Sequence, residues 1–278
     1  MQVHLFGSIT VDHGPRQWGA QSFGGRKPKQ LLEILLVRRG HPVPAHELAA
    51  LLWEGLPGGG STATVQHYVS VLRRRLPQSP VTGSLLLSSH SGYELDLSRF
   101  CLDLDLFDAA ADAADAAPAD HNRRLLELAL GHVQGEVLAD EPTAPWAAEV
   151  RRRYRRRHVH LLLRAAAAAL TDADAQGART HALAAAKYEV STEPAACLLI
   201  AAHYLSGEPA AALAAFEGCR RALSEHQGID PMPHTVQMHR VVVERGAADE
   251  LVALALQVVL GPSRQLPGPV RARARLSA

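Results

Sequence analysis

From about residue 103 to residue 245 the chain gives one helical signal after another, with no strand pattern between them. Ala and Leu recur at helical spacing, other good helix formers fill the remaining positions, and Gly, Pro or Asp marks each break. The segments fall near Asp103–Ala117, Asp120–Leu130, Pro145–Thr171, Asp174–Val190, Glu193–Ser206, Glu208–Gln227 and Pro233–Arg245. Such a succession can bury its apolar faces only helix against helix. Gly207 separates two helices of similar length, which predicts antiparallel hairpins stacked as a solenoid. Ala195, Ala196, Leu199 and Ala202 set against Ala211, Leu213 and Phe216 give the small-and-large interleaving of tetratricopeptide-like pairs. A short apolar helix fits Leu251–Leu260, and Gly261–Ala278, rich in Pro, Arg and Ser, is expected to be disordered.

The first hundred residues read differently. Val3, Leu5, Ile9 and Val11 alternate with polar residues, and Gly7, His13-Gly14-Pro15 and Gly19 supply turns, so residues 1–23 are expected to form short strands. A helix follows from Gly24-Gly25 to about Arg39, with a wide apolar side (Leu31, Leu32, Ile34, Leu35, Leu36), and a short one spans Ala45–Trp53. A third runs from Ser61 to Leu76, and Leu85–Leu97 reads as two strands around a polar turn. Strands, three helices and a closing hairpin describe a winged helix, whose third helix enters the DNA major groove. The expected fold is therefore mainly α with a small β component: a winged helix over 1–100, an all-α domain over 101–248, and a tail from 249 to 278.

The third helix carries the chemistry. Ser61 or Thr62 offers an N-cap oxygen, and Pro77 closes the far end. Val65, Val69, Leu72 and Leu76 share one buried face, with Tyr68 at its edge. Gln66, His67, Ser70 and Arg74 point the other way and Arg73 flanks them. That outer set holds amide, imidazole, hydroxyl and guanidinium groups and no carboxylate, a combination that hydrogen-bonds to base edges and phosphates. An ordinary amphipathic surface helix with a basic end has the same pattern. Charge favours the DNA reading: residues 1–100 hold ten Lys and Arg against six Asp and Glu, giving +4, while residues 101–250 hold fifteen against twenty-two, giving −7.

Here the pattern becomes specific. Gln66-x-Tyr-Val-Ser-x-Leu-Arg-Arg-x-Leu76, followed by Gly92-Tyr93-x-Leu95, resembles the OmpR-type DNA-binding domain, in the version found in Streptomyces antibiotic regulatory proteins. Pro28-Lys-Gln-Leu-Leu and Leu48-x-x-x-Leu-Trp53 match that family's first two helices. Gly135-Glu-Val-Leu-Ala-Asp140, Trp146 and Gly228-Ile-Asp-Pro-Met-Pro233 resemble marks of the bacterial transcriptional activation domain that follows the winged helix there. One departure is the triple glycine Gly58–Gly60, where the family carries a Pro-containing loop. The resemblance implies a cytoplasmic, nucleoid-associated activator of a secondary-metabolite gene cluster. It would bind direct repeats in double-stranded DNA as a homodimer or side-by-side oligomer, and recruit RNA polymerase through the sigma subunit and its neighbours. Thr62, Gln66, His67, Ser70, Arg73, Arg74 and His90, at the hairpin tip, are the expected DNA contacts, the arginines toward phosphates and Gln66 and His67 toward bases. A helical-repeat interaction scaffold with a merely structural winged helix is the alternative.

Other features were weighed against blander readings. Six arginines within Arg151–Arg157 surround a helix axis and form no clean stripe, which favours solvated or internally paired side chains over a nucleic-acid patch. His158 and His160 diverge on a helix, no Cys or His spacing fits a metal, and no lysine follows Gly58–Thr62 to make a P-loop. No catalytic constellation and no cofactor signature is present, so an enzyme is not expected. Cys101, Cys197 and Cys219 lie in apolar surroundings and are expected to be buried thiols, Trp53 and Trp146 core residues, and Tyr93 a packing residue between hairpin and third helix. No run of about 18 apolar residues and no secretion signal is seen, so no membrane association is expected.

Overall fold

The computed structural model describes residues 1–54, 60–77, 83–118, 122–188 and 193–261. Gly58, Gly59, Pro80 and the tail beyond Gly261 lie outside the described residues. The fold class is as expected, mainly helical with a small sheet component. The chain forms two compact units, one of Met1–Ala109 with Gly131–Arg155, the other of Ala110–Leu130 with the residues from Arg156 onward. These units differ from the division at residue 100 that composition suggests.

In the first unit, β1 (Gln2–His4), β2 (Thr10–His13) and β3 (Arg16–Gly19) form an antiparallel meander in which Val3 faces Val11 and Val11 faces Trp18. Helix α1 (Arg26–Val37) buries Leu31, Leu32, Ile34, Leu35 and Leu36. It stops where Arg39 and Gly40 turn left-handed, with φ of 52° and 74°. Helices α2 (Ala45–Leu52) and α3 (Thr62–Arg75) pack on α1, and β4 (Leu86–Ser89) and β5 (Gly92–Leu95) make the hairpin. The sequence pattern does not reveal β6 (Cys101–Leu102), which pairs parallel to β1 and completes the order β3-β2-β1-β6. On this strand Cys101 is exposed, contrary to expectation, whereas Cys197 and Cys219 are buried and their thiols are pushed up to about 12 and 11 by that burial.

Helix α4 (Asp103–Ala116) opens with a carboxylate that is part of the first unit's framework. Asp103 accepts hydrogen bonds from the main-chain N–H of Leu5 at 2.8 Å and Phe6 at 2.9 Å, and from Leu104 at 2.8 Å. Burial pushes its pKa up in spite of these bonds. Just beyond, Leu138 donates to the Leu5 carbonyl at 2.8 Å, Ala139 to Gly7 at 2.9 Å, and Gly7 to Glu136 at 2.9 Å. The stretch Gly135–Asp140, expected in the helical domain, thus extends the backbone pairing that begins at β1.

Next to it, the ammonium of Lys29, almost fully buried, lies 2.5 Å from Asp140, 2.8 Å from Glu141 and 3.2 Å from Glu33. Gln30 donates to Glu141 at 2.6 Å. Lys29 and Arg26, the latter 3.5 Å from Glu141, supply two cations to three carboxylates, so the most secluded carboxylate is the one that protonates. Burial lifts Glu33 to about 8 against the pull of Lys29, and its Oε2 has no partner among the described residues. Burial alone would raise Glu141, but hydrogen bonds from Lys29 and Gln30 outweigh it and hold the carboxyl below the usual range. A second cluster joins the end of α1 to α4 and α6 (Pro145–Thr171): Arg39 meets Asp105 and Asp108 at 3.0 Å each, and Tyr154 donates to Asp108 at 2.8 Å.

The second unit is all helix: α5 (Arg123–Gly131) and the later parts of α4 and α6, then α7 (Ala175–Ala186), α8 (Glu193–Leu205), α9 (Pro209–Gln227), α10 (Pro233–Val243) and α11 (Ala248–Leu260). Helix α8 is its centre, with α7, α9 and α11 packed against it. Ala195, Ala201 and Ala202 of α8, with Ala178 and Ala182 of α7, are fully buried, and these short side chains let the helices approach closely. Residues 249–260, grouped with the tail on sequence, bury Leu251, Val252 and Leu254 in this core. Arg123 fastens the loop ahead of α7, meeting Asp172 at 2.9 Å and the N-cap carboxylate of Asp174.

Two outcomes are expected. Replacing Asp103 by Ala strips an acceptor from three buried N–H groups, and should cost about 2–4 kcal/mol in urea denaturation. A fragment ending at residue 100 also lacks Asp103 and Gly135–Asp140, and should unfold at lower urea than one ending at residue 155. The second outcome concerns Glu33, which binds its proton more tightly folded than unfolded. Folding stability should therefore fall as pH rises from about 4.5 to about 8. Glu33→Gln should flatten that decline, as read from stability measured across the same range.

Candidate nucleic-acid interface

Helix α3 begins where Ser61 accepts a hydrogen bond from Thr64 N–H at 3.2 Å, an N-cap that satisfies one of the helix's free donors. Val65, Val69, Leu72 and Leu76 are buried as expected. Thr62, Gln66, His67, Ser70 and Arg74 are all exposed and form one surface, and the hydroxyl of Ser70 donates back to the Gln66 carbonyl at 3.0 Å. No carboxylate occurs anywhere in α3. Three arginines at its C-terminal end sit where the helix dipole favours positive charge.

Arg73 and Arg74 have different surroundings. Arg73 lies half-buried, its Nε and Nη2 donating to the Leu86 carbonyl at 3.2 and 3.0 Å, with Nη2 also 2.7 Å from Ser88 Oγ. It is the strut between α3 and the hairpin, whereas sequence spacing assigns it to a phosphate. Arg74 and its neighbour Arg75 stay exposed.

Tyr93 also ties the hairpin to the segment ahead of α2: its main chain exchanges hydrogen bonds of 2.8 and 2.9 Å with Val43. Gly92 makes this possible: its φ is 130°, and a Cβ there would lie 2.2 Å from the Val43 carbonyl oxygen. The hairpin tip carrying His90, exposed, is thereby set beside the start of α2, where His46 is exposed too. Sequence reasoning passed over His46 because nothing in the pattern ties α2 to the hairpin. Trp53 and Trp146 are half-buried instead of core. Trp53 stacks on Tyr68 with centroids 6.0 Å apart, and Lys27 lies 5.5 Å over its ring.

The arginine-rich run of α6 is largely paired within its own units, although Arg152, Arg153, Arg155 and Arg156 are exposed. In the first unit, Arg151 donates to the carbonyl of Pro142 at 3.0 Å, Arg153 lies 3.8 Å from Asp108, and Arg152 and Arg155 pair with Glu149 and Glu136. In the second unit, Arg157 pairs with Asp112. The acid-free outer face of α3 thus has no counterpart in this run. Among the described residues no group of three or more His, Cys, Asp or Glu is placed to hold a metal ion, and no helix is long and apolar enough to cross a membrane.

Removing the strut should free the hairpin without unfolding the helix. Arg73→Ala is expected to raise amide hydrogen exchange at Leu86–Leu95 at least several-fold, with the exchange of α3 and α1 little changed.

Comparison with known proteins gives the same architecture. Residues 102–243 match the family model of the bacterial transcriptional activator domain. The regulatory protein AfsR of Streptomyces griseus is 33% identical over 258 residues, which is 88% of this chain and 25% of that protein. The transcriptional regulatory protein EmbR of Mycobacterium tuberculosis is 31% identical over 81% of this chain and 58% of its own. The chain therefore spans about a quarter of the length of AfsR and somewhat over half that of EmbR. A solved structure of Mycobacterium tuberculosis EmbR in complex with a low-affinity phosphopeptide superposes with a TM-score of 0.72 at 25% identity, covering 94% of this chain and 69% of that one.

Proposed function

The chain belongs to the bacterial transcriptional activator domain family, among the Streptomyces antibiotic regulatory proteins, and from that premise we propose that it activates transcription by binding promoter DNA through α3. The observation that carries this reading is the exposed, acid-free face of Thr62, Gln66, His67, Ser70 and Arg74, backed by a buried face that fixes it on α1. Gln66 and His67 lie toward the entering end of the helix and reach base edges; Arg74 meets the phosphate backbone. His90 on the hairpin approaches the backbone beside it. Arg73 contributes indirectly, by holding that hairpin against α3. The target is a set of direct repeats near the promoter of a secondary-metabolite cluster, occupied by a homodimer or by protomers side by side on one face of the duplex.

The helical unit then makes the difference between occupying a promoter and activating it. Its stacked helices offer a surface for another protein, and the net charge of −7 over residues 101–250 suits a basic partner or keeps that region off DNA. RNA polymerase, through sigma and the subunits beside it, is the proposed partner. In vitro transcription tests the whole reading. The purified chain should raise transcript from its promoter in step with occupancy of the repeats. A chain that binds partner proteins but leaves both occupancy and transcript unchanged would instead be an interaction scaffold.

The two kinds of contact separate in binding assays. Gln66→Ala and His67→Ala should lower discrimination between cognate and random duplex by about 1–3 kcal/mol. Arg74→Ala should weaken both duplexes alike and reduce the slope of log affinity against log salt by about one. Equal specificity ratios for wild type, Gln66→Ala and His67→Ala would remove the assignment of base contacts.

A further inference from the structure

Beside the entering end of α3 lies an open cavity of about 500 Å³. One wall is the start of α2, with His46; the other is the hairpin tip, with Ser89, His90, Ser91 and Tyr93; Thr62 of α3 adjoins both. The walls are a built arrangement, because the Val43–Tyr93 backbone pair holds them together and Gly92 fits where no larger residue would. None of the residues lining the cavity is acidic. Two imidazoles and a set of hydroxyls facing one open concavity suit a singly charged, oxygen-rich anion.

We propose that this cavity seats one phosphodiester of the DNA backbone between protonated His46 and His90, so that DNA binding takes up protons. The inference rests on the reading of α3 as the DNA-contacting helix, and adds to it a phosphate site with a pH dependence. A phosphodiester keeps its charge throughout the range in which imidazole gains or loses one. It therefore favours the imidazolium form, and affinity rises as pH falls, by at most about tenfold per pH unit for each coupled histidine. The hydroxyls of Thr62, Ser89, Ser91 and Tyr93 supply further donors to the phosphate oxygens.

The surrounding charges do not supply a competing anion. On α2, Glu47 is 2.6 Å from Arg38 of α1. On β5, Glu94 follows Tyr93 and so points to the opposite face of the hairpin. Arg73 is bonded to β4, and the first turns of α3 carry no charge other than that His67 can acquire. The exposed positions of His46 and His90 also make both replaceable without disturbing the core.

The test measures affinity of the full chain for a random-sequence 30-base-pair duplex, a probe that needs no knowledge of the target, at pH 6.0 and pH 8.0 and constant ionic strength. The wild type should bind at least about tenfold more tightly at pH 6.0. The double variant His46→Gln, His90→Gln should lose most of the gain in affinity between pH 8.0 and pH 6.0, whatever its affinity at pH 8.0. Its salt slope at pH 6.0 should also be shallower by about one. An unchanged pH dependence in the double variant would overturn the phosphate site while leaving α3 as the DNA-contacting helix. Absence of salt-dependent binding by the wild type at both pH values would overturn that helix assignment, and the phosphate site with it.

Discussion

The buried ammonium of Lys29 is the constraint on which the support beneath α3 depends. Taking a charge out of water costs several kcal/mol unless the site returns comparable attraction and hydrogen bonding. Here the compensation comes from Asp140 and Glu141, more than a hundred residues along the chain. The N-terminal half of α1 is thereby bound to the segment that extends the β1 pairing. Its other end is held by Arg39, through Asp105, Asp108 and Tyr154. Helix α3 packs on a support anchored by ions at both ends. A recognition helix must hold its side chains to within fractions of an ångström to tell one base edge from another, and rigid backing is one route to that.

This dependence explains why the division of the chain was not legible from composition. The change from alternating strands to Ala-rich helix is real and does fall near residue 100. Yet the first unit is completed by the Asp103 carboxylate, which accepts from the Leu5 and Phe6 N–H groups, and by Gly135–Asp140, whose ties to Leu5 and Gly7 are main-chain hydrogen bonds. Bonds of that kind place no demand on side-chain periodicity, so a sequence carries no trace of them. Asp103 reads equally well as an acid in the first turn of a helix, which it also is. Two-residue β6 is too short for any alternation to appear. Long, periodic elements fared better: Pro145–Thr171 matches its expected span, and the other helices differ by a few residues at their ends.

Much of the candidate site was legible, because one helical period separates its buried and exposed faces. Val65, Val69 and Leu72 had to face inward, which left Gln66, His67, Ser70 and Arg74 outside. What periodicity cannot supply is the identity of the neighbouring element. Arg73 and Arg74 differ by one step of about 100°. That step decides whether a guanidinium meets the Leu86 carbonyl or open solvent. The same limit hid His46, since only the Val43–Tyr93 pair brings α2 beside the hairpin.

The arginines of α6 complete the electrostatic argument. Six positive side chains in seven positions outnumber those of α3, and by charge density alone they would be the nucleic-acid patch. The carboxylate and carbonyl partners of Arg151, Arg152, Arg153, Arg155 and Arg157, within each unit, offset much of that charge locally and shorten the reach of its field. On α3 there is no acidic residue to do the same. A smaller number of cations, with no carboxylate on their own helix and lying beside amide, imidazole and hydroxyl groups, presents the more useful potential to a polyanion. Charge count measures composition, whereas attraction for DNA depends on what remains uncompensated at the surface.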